Sequence, residues 1–431
     1  MCWNIDKTRY IVDISAILVD NTLMKIYSRQ EITKLAVQPY VKRTIEPEFV
    51  ASLNRPEVTI LYGPRQVGKS ALLFQNLLHL WDKNGGKAEI FYYNLDVISS
   101  DFRDPDKFTQ ILASLRKNEA QLAYVFIDEA QRLENIGLWV KYIHDQKLNI
   151  KLVLTGSASL EIREKVREPL TGRKIEFLLL PLTLDEIFIY NGYAAAKIDS
   201  SLEITEKILE EYLMYGGYPG VFVEPDSMLK KKKLTEIADS YVTRDVANLF
   251  GIKNTDTVRL IASFLGENIG GLLSRENVSK LAGVSKYETE KILGALEKTF
   301  IILKILPFAK GGVRELIHRP KVYFFDVGIR NALLAKLESY LLVADRGKLF
   351  ENAIALRLFS KFGLSSIRFW RTSNQTEVDF IVKKQEKIIA YECKNTSSKS
   401  SITKGLYNFQ KLYSELIENV FMVTKENYWK V

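Results

Sequence analysis

One segment near the start of this 431-residue chain constrains its fold more than any other. The apolar stretch that begins at Thr59 leads into GPRQVGKS, residues 63–70, and a leucine-rich segment at helical spacing follows. A strand, a G-x-x-x-x-G-K-[ST] loop and a helix in this order form the context that a phosphate-binding loop requires. The segment therefore predicts a P-loop and, with it, nucleotide binding.

The spacing within this loop has a physical cause. Gly63 and Gly68 let the backbone turn so that its N–H groups point at the phosphates of ATP. Lys69 places a positive charge near the β- and γ-phosphates, and the Ser70 hydroxyl can ligate Mg²⁺ at the N-terminus of the helix. The residues predicted to contact ATP here are Gly63, Pro64, Arg65, Gln66, Val67, Gly68, Lys69, Ser70 and Ala71.

Two later apolar strands also end in polar residues. AYVFID, at 123–128, ends in Asp128 with Glu129 next, and IKLVLTG, at 150–156, contains Thr155. Asp128 is predicted to hold Mg²⁺, Glu129 to polarise an attacking water, and Thr155 to lie beside the γ-phosphate. The alternative is that the acids only cap the next helix. Short strands alternating with helices predict an α/β fold, a parallel P-loop sheet covered on both faces, with ligands at the carboxyl ends of its strands.

The middle of the chain has the pattern of a helix-turn-helix followed by a hairpin, which together predict a winged helix. Ser274 and Ser285 are each placed to cap a helix, with a glycine turn between the two helices. The apolar strands at 300–306 and 321–325 flank a basic segment, residues 310–314, as a wing would. The second helix, with lysines near its start, could enter a DNA groove. Such a module serves equally as a spacer or a protein contact, and the sequence leaves both open.

A charged hairpin near the end of the chain, TEVDFIVKKQEKIIAYECK at 376–394, is the second candidate site. Because side chains alternate along a strand, Glu392 and Lys394 share one face, and the turn brings Asp379 beside Glu392. Two carboxylates suit Mg²⁺, and Mn²⁺ as well, and a lysine could position the bound water or offset developing negative charge. The plain alternative is a solvated charged hairpin. Glu351, at the start of an amphipathic helix upstream, is a further acid for this metal set.

The chain resembles the prokaryotic AAA+-like ATPases that carry a C-terminal winged helix and often a restriction-endonuclease-like domain. The matching segments, from about residue 45 onward, are GPRQVGKS at 63–70, FIDEAQ at 126–131, LTGSAS at 154–159, LTGRKIEFLLLPLTLDE at 170–186, YGGYPGV at 215–221 and KVYFFDVGIRNALL at 321–334. The resemblance implies that Thr155 or Ser157 senses the γ-phosphate. It implies that Arg173 or Arg167 reaches a neighbouring subunit's ATP, with an ordinary ion pair as the alternative. It also implies a helical lid whose turn, residues 216–220, closes on the nucleotide, and a homo-oligomer.

The C-terminal order of helix with Glu, strand with Asp and then Glu-x-Lys resembles the restriction-endonuclease-like superfamily. Glu351, Asp379, Glu392 and Lys394 occupy all four motif positions. Many relatives of the ATPase family have lost one or more of these residues, so a complete set favours a working metal-dependent nuclease.

Charge and composition narrow the partners and the compartment. The net charge of +9 favours a polyanionic partner such as DNA. Two cysteines cannot build a disulfide framework, which favours a reducing cytoplasm. The apolar runs are too short to span a bilayer, so no membrane association is expected.

These observations predict an N-terminal segment (1–44), a P-loop ATPase core (45–180), a helical lid (181–235), a winged-helix region (236–343) and a restriction-endonuclease-like domain (344–431). Two main functions stay open, besides a regulatory scaffold that binds ATP and rarely hydrolyses it. One is an ATPase that acts on DNA, with a fused metal-dependent nuclease. The other is an ATP-dependent conformational switch that binds DNA or a protein partner, with an inactive nuclease-like domain.

Overall fold

The computed structural model describes residues 33, 36, 39–84, 88–96, 103–133, 135–156, 172–193, 202–308, 319–338, 344–396 and 402–431. Most of the predicted N-terminal segment, the predicted wing, and the residues Ser157 and Arg167 lie outside this part of the chain.

The first half of the chain forms a five-stranded parallel sheet with the strand order β2-β3-β4-β1-β5. The strand before the P-loop, β1, therefore lies between β4 and β5, and β4 separates it from β3. All residues of β1 and β3 are buried, as expected for strands covered on both faces. The strands are β1 (Val58–Tyr62), β2 (Glu89–Asn94), β3 (Ala123–Asp128), β4 (Ile150–Gly156) and β5 (Lys174–Leu178). The predicted α/β fold with a parallel sheet is confirmed.

Helices connect these strands and continue into the lid. A capping box begins the lid: the Thr183 hydroxyl accepts from the Glu186 N–H, and the Glu186 carboxylate accepts from the Thr183 N–H. The helices of this half are α1 (Glu46–Ser52), α2 (Lys69–Lys83), α3 (Pro105–Leu115), α4 (Ile136–Asp145), α5 (Leu184–Tyr190), α6 (Leu202–Tyr215), α7 (Pro219–Phe222) and α8 (Ser227–Ile237).

A π-helix, Ala238–Asp245, leads from α8 into the second half of the chain. The two helices predicted around the glycine turn are found there, and Ser274 and Ser285 cap them as expected. Gly283 ends the first of them with φ +64°, a conformation that glycine adopts without strain. The helices are α9 (Val246–Leu249), α10 (Thr255–Glu267), α11 (Arg275–Ala282), α12 (Lys286–Lys298), α13 (Val327–Leu333), α14 (Arg346–Phe362) and α15 (Lys404–Tyr413).

The second half also contains a six-stranded mixed sheet with the order β11-β10-β9-β8-β6-β7. The predicted hairpin strands β6 and β7 join the C-terminal strands through a short parallel pairing of β6 with β8. The predicted boundary between residues 343 and 344 therefore runs through one continuous sheet. The strands are β6 (Ile302–Pro307), β7 (Lys321–Phe324), β8 (Ile367–Arg371), β9 (Glu377–Lys384), β10 (Lys387–Cys393) and β11 (Ile417–Val423).

This sheet is apolar on both faces. Phe380 and Tyr391 belong to the large core shared with α14, whereas Ile381 and Ala390, each one position away, belong to a second core shared with α15. The alternation follows from the pleat of a strand, which sends successive side chains to opposite faces. No helix in the described ranges is long and apolar enough to cross a bilayer.

Candidate functional site

The P-loop connects β1 to α2 with the geometry that its glycines permit. Gly63 has φ +154°, and a Cβ at this position would overlap the backbone carbonyl of Leu179. Gly68 has φ +93° and stands at the N-cap of α2. A side chain at either position would clash or strain the backbone. The loop residues between the glycines, with Val67 fully buried, therefore wrap the N-terminus of α2, which favours anions.

Lys69 is folded into the loop itself. Its Nζ donates to the carbonyl oxygens of Gly63 (2.9 Å) and Pro64 (2.6 Å), and the side chain is buried. Burial lowers the pKa of Lys69 to about 8, against the opposing effect of the carboxylates Glu129 and Asp128. The phosphates of a bound nucleotide would compensate this buried charge better than two carbonyl dipoles do.

Asp128, at the carboxyl end of β3, accepts hydrogen bonds from three side-chain hydroxyls beside the loop. Its Oδ2 accepts from the Ser70 hydroxyl (3.2 Å) and from the Tyr92 hydroxyl (2.6 Å), and its Oδ1 accepts from the Thr155 hydroxyl. The strand order causes this arrangement, because β3 lies between β2, which carries Tyr92, and β4, which carries Thr155. Ser70 and Asp128 offer converging oxygen donors, the chemistry that Mg²⁺ prefers, so they fit the predicted cation.

Glu129 follows directly and has the left-handed backbone φ of +56°, which is uncommon for a residue with a side chain. Its N–H donates to Asp128 Oδ1 (3.0 Å), and its carboxylate accepts from the Gln131 amide. Strained backbone of this kind concentrates at functional sites. The placement is compatible with the predicted role of Glu129 toward water, which stays a prediction.

Arg173 does not lie at the nucleotide site of its own chain. Its carbonyl accepts from the N–H of Val58 at the start of β1, and its guanidinium pairs with Asp145 (2.9 Å). It therefore stands at the amino edge of the sheet, about 17 Å of strand away from the P-loop. The ion pair with Asp145 agrees with the plain alternative for Arg173. A role toward a neighbouring subunit stays a prediction.

Arg43, which precedes the core, ties the P-loop to the lid. Its guanidinium donates to the carbonyl oxygens of Val67 (2.9 Å) and Leu180 (2.6 Å), and its Nε lies 3.1 Å from Glu186 Oε1. Glu186 is buried and also accepts from the Thr44 N–H (2.7 Å). One buried ion pair thus fixes both the loop and the first lid helix.

The glycine turn of the lid lies between the P-loop and the second half of the chain. On the P-loop side, a Cβ at Gly68 would come within 3.8 Å of Pro219. On the other side, the Gly217 N–H donates to Asp326 Oδ2 (2.7 Å), and Gly216 leaves room for the same carboxylate, which a Cβ would overlap. Asp326 also caps α13 through Ile329 N–H (2.9 Å). Burial raises the pKa of Asp326 to about 7, against the hydrogen bonds that lower it.

The four predicted nuclease residues lie in one region of the second sheet. Glu351 is on α14, Asp379 on β9 and Glu392 on β10, with Lys394 just beyond β10. Asp379 Oδ2 accepts from the Cys393 N–H (2.8 Å), which fixes it against β10. Burial and the neighbouring Glu351 raise the pKa of Asp379 well above its usual value.

Each of these acids has a lysine partner, and one of the lysines was not predicted. Lys321, at the start of β7, is 1% exposed and lies 3.0 Å from Glu351 Oε1 and 3.9 Å from Asp379 Oδ1. Lys394 lies 3.1 Å from Glu392 Oε1. Burial lowers the pKa of Lys321, but the surrounding carboxylates outweigh burial and raise it above its usual value.

The described side chains do not form the predicted metal centre. No group of three or more His, Cys, Asp or Glu side chains in this part of the chain is arranged to hold a metal ion. The set of Glu351, Asp379 and Glu392 is therefore a correction to the prediction. Its physical reason is that the carboxylates are turned toward lysine ammonium groups. One oxygen, Oε2 of Glu392, is buried and accepts no hydrogen bond from the described residues.

The predicted DNA-reading helix α12 is not strongly basic. Its residue Glu290 pairs with Arg275 of α11, and its first residue Lys286 lies 3.7 Å from Glu276. Tyr287 is 81% exposed. The charged residues of the helix balance: they are Lys286, Lys291, Lys298, Glu288, Glu290 and Glu297. DNA contact by this helix stays a prediction that its own charge does not favour.

Three protein families match this chain, and the description of one of them indicates a function. A family described as an AAA domain matches residues 55–188, and two families described as domains of unknown function, DUF8612 and DUF4143, match residues 206–339 and 346–430. The chain contains an AAA-type P-loop ATPase domain. The matched range includes the P-loop, Asp128 and most of the first lid helix, and the match supports binding of ATP, usually with Mg²⁺.

Whole-chain relatives carry no further functional description. An uncharacterized protein of Haemophilus influenzae is 27% identical over 368 residues, which cover 82% of this chain and 88% of the relative. An uncharacterized protein of Methanocaldococcus jannaschii is 25% identical over 413 residues, covering 91% and 88%. Among solved structures, C. elegans PCH-2 is 14% identical and covers 62% of this chain and 67% of its own, with a TM-score of 0.25, too low to carry an argument.

Several residues around the AAA domain were missed by sequence reasoning. Tyr92, Arg43 and Asp326 each contact a motif residue that is far away in sequence. Lys321 is also far in sequence from Asp379, the hairpin acid that it pairs with. No local spacing signals such contacts, because they depend on the strand order and on how the two halves of the chain pack.

Proposed function

We propose that this protein is an ATP-hydrolysing conformational switch, in which the nucleotide state of the AAA domain sets the arrangement of the C-terminal half. The observation that carries the proposal is the position of the lid turn, residues 216–220. Pro219 lies beside the P-loop, since a Cβ added at Gly68 would come within 3.8 Å of it, and Gly217 is hydrogen-bonded to Asp326 of the second half of the chain. A change at the phosphates can therefore reach α13 through a single turn.

The residues of the AAA domain have distinct parts in ATP turnover. Lys69 leaves its two carbonyl partners to bind the phosphates, and Ser70 and Asp128 would hold Mg²⁺, which supplies positive charge against the phosphates when bound. Glu129 orients and polarises the attacking water. Thr155, which is hydrogen-bonded to Asp128, responds to loss of the γ-phosphate.

Hydrogen bonds on either side of the lid turn connect the lid to α13. Asp326 caps α13, and the side-chain amide of Asn331 on the same helix donates to the carbonyl oxygens of Leu213 (3.0 Å) and Met214 (2.9 Å) of the lid helix α6. Helix α13 is thus held to the lid at both ends. Closure of the lid on ATP would move α13 with it, and a partner bound to the C-terminal half would experience that movement.

Deuterium exchange of the full chain tests the coupling. With a non-hydrolysable ATP analogue and Mg²⁺, we expect slower exchange at the P-loop and also in residues 216–220 and 321–334. Lys69→Ala, which should abolish phosphate release without unfolding the chain, should remove all three effects. Protection that is confined to the P-loop in the wild type, or turnover that survives in Lys69→Ala, would contradict the proposal.

The partner that fits the net charge of +9 is DNA, and a protein is the alternative. Metal-dependent cleavage of DNA is a second candidate function. It is favoured by the buried Oε2 of Glu392, an acceptor that a cation would satisfy, and opposed by the lysine partners of Glu351, Asp379 and Glu392. Cuts in plasmid DNA with Mg²⁺ or Mn²⁺ that Asp379→Ala removes would establish it.

A further inference from the structure

We define the C-terminal acid cluster as Glu351, Glu377, Asp379 and Glu392. Lys321 lies among these acids and is more deeply buried than any of them. Its ammonium contacts Glu351, Glu377 and Asp379, which belong to α14 and β9. A lysine that is 1% exposed and paired with three carboxylates on two elements cannot swing out to solvent without breaking all of these contacts.

The surroundings of Lys321 hold it in this position. It stands in β7, paired in register with Ile305 of β6, and its Nζ lies 5.6 Å from the centre of the Phe369 ring. The Tyr323 hydroxyl, two residues along the same strand, donates to the same Glu351 oxygen as Lys321 (2.5 Å). Two side chains of β7 therefore use the lone pairs of Glu351 Oε1 that a metal ion would need.

The other acids of the cluster are compensated as well. Glu377 pairs with Arg371 (3.0 Å) in addition to Lys321, and Glu392 pairs with Lys394. Mg²⁺ or Mn²⁺ needs carboxylate oxygens at about 2.1 Å. A dication that close to Glu351 and Asp379 would lie against the ammonium of Lys321, where two like charges in a buried site repel strongly.

We infer that the ammonium of Lys321 takes the place of a divalent cation in the acid cluster, which makes the cluster a lysine-neutralised structural site instead of a metal centre. The C-terminal half keeps the acids that the resemblance to nucleases singles out, and a residue from the neighbouring hairpin neutralises them. This inference is independent of the ATP-driven switch, because no residue of the cluster contacts the P-loop in the described structure.

The inference is tested by isothermal titration calorimetry, in which Mn²⁺ is added to the nucleotide-free full chain. We expect wild type and Asp379→Asn to bind Mn²⁺ equally weakly. Lys321→Met replaces the charged side chain by an uncharged, unbranched one that is shorter by one atom. It should bind Mn²⁺ at least tenfold more tightly, because Glu351, Asp379 and the free Oε2 of Glu392 become available. The double variant Lys321→Met/Asp379→Asn should lose that gain.

Two results would overturn the inference. One is Mn²⁺ binding by the wild type that Asp379→Asn weakens tenfold or more. The other is a folded Lys321→Met variant, as judged by circular dichroism and an unchanged rate of ATP hydrolysis, that gains no affinity for Mn²⁺. If Lys321→Met fails to fold, the comparison of wild type with Asp379→Asn decides alone, and Lys321→Arg, which keeps the charge, should fold and bind no more Mn²⁺ than wild type.

Discussion

Burial makes the Lys69 ammonium lose its proton at a lower pH than an exposed lysine does. Its pKa of about 8 in the nucleotide-free chain reflects burial among carbonyl groups, which disfavours the charged form. ATP binds the protonated lysine, and the bound phosphates raise its pKa, so binding takes up a proton above pH 8. Affinity is therefore full below the pKa of the free protein and is lost as the pH rises through it.

We expect the affinity for Mg²⁺-ATP to be about tenfold weaker at pH 9 than at pH 7, since the protonated fraction of Lys69 falls by that factor. Fluorescence titration with a labelled ATP analogue at several pH values measures this slope. Lys69→Arg is the matched control, because a guanidinium stays charged throughout this range and its slope should be flat. An equally flat slope for the wild type would show that the pKa of Lys69 is not lowered in the free protein.

Single residues were predictable from the sequence only where a motif fixes their neighbours. Lys69, Ser70 and Asp128 meet because a P-loop and a parallel strand constrain them. The role of Arg173 stays open because the sequence does not say which partner its guanidinium meets; in the structure that partner is Asp145. Lys321 was invisible as a site residue because its partners, Glu351 and Asp379, are 30 or more positions away.

At the scale of elements, the starts of the helices were the features best predicted from the sequence. Ser274 and Ser285 were predicted as caps, and each accepts the expected backbone N–H. Side chain and backbone are only a few residues apart in a cap, so local sequence suffices. The joining of β6 to β8 was not predictable, because the pairing spans about 60 residues and depends on how two packed units meet.

The cap of α13 differs from the others because Asp326 is buried and titrates near neutrality. Its pKa is raised to about 7 from an ordinary value near 4, so the folded chain binds more protons than the unfolded chain between these values. The contribution of Asp326 to stability is therefore largest at low pH and declines as the pH rises toward 7.

For Asp326→Ala we expect a loss of about 2 kcal/mol of folding free energy at pH 5.5, from the missing cap and the missing bond to Gly217. The loss should shrink by about 2 kcal/mol at pH 7.5, because the variant no longer carries the cost of a buried charge. Urea denaturation at the two pH values measures both. Asn254→Ala, which removes the uncharged cap of α10, should cost about 1 kcal/mol at either pH. A pH-independent loss for Asp326→Ala would contradict this account.

At the scale of the whole molecule, the C-terminal residues close the structure back onto the lid. Lys425 pairs with Glu206 (2.6 Å) and Glu210 (3.3 Å) of α6, and Arg357 of α14 donates to the Trp429 carbonyl (2.8 Å). The described contacts between the lid and the C-terminal half therefore include a first link through α13 and a second link through these residues.

Tyr428 anchors the second link and is fully buried. Its ring lies near Phe188 of the lid helix α5 and Phe350 of α14, and its hydroxyl donates to the Thr205 carbonyl (3.2 Å) of α6. Removal of the ring leaves a cavity between the halves, and we expect Tyr428→Ala to cost about 3–5 kcal/mol of folding free energy in urea denaturation. Tyr428→Phe removes only one hydrogen bond and should cost about 1 kcal/mol.

The same pair of variants separates stability from coupling. In deuterium exchange, Tyr428→Ala should still show protection of the P-loop by an ATP analogue, because Tyr428 does not contact the nucleotide site, but the protection of residues 321–334 should weaken. Tyr428→Phe should keep both effects, since the packed ring and not its hydroxyl fills the space between lid and sheet. Equal protection of residues 321–334 in wild type and Tyr428→Ala would mean that the lid turn at Gly217 and Asp326 carries the coupling without the second link.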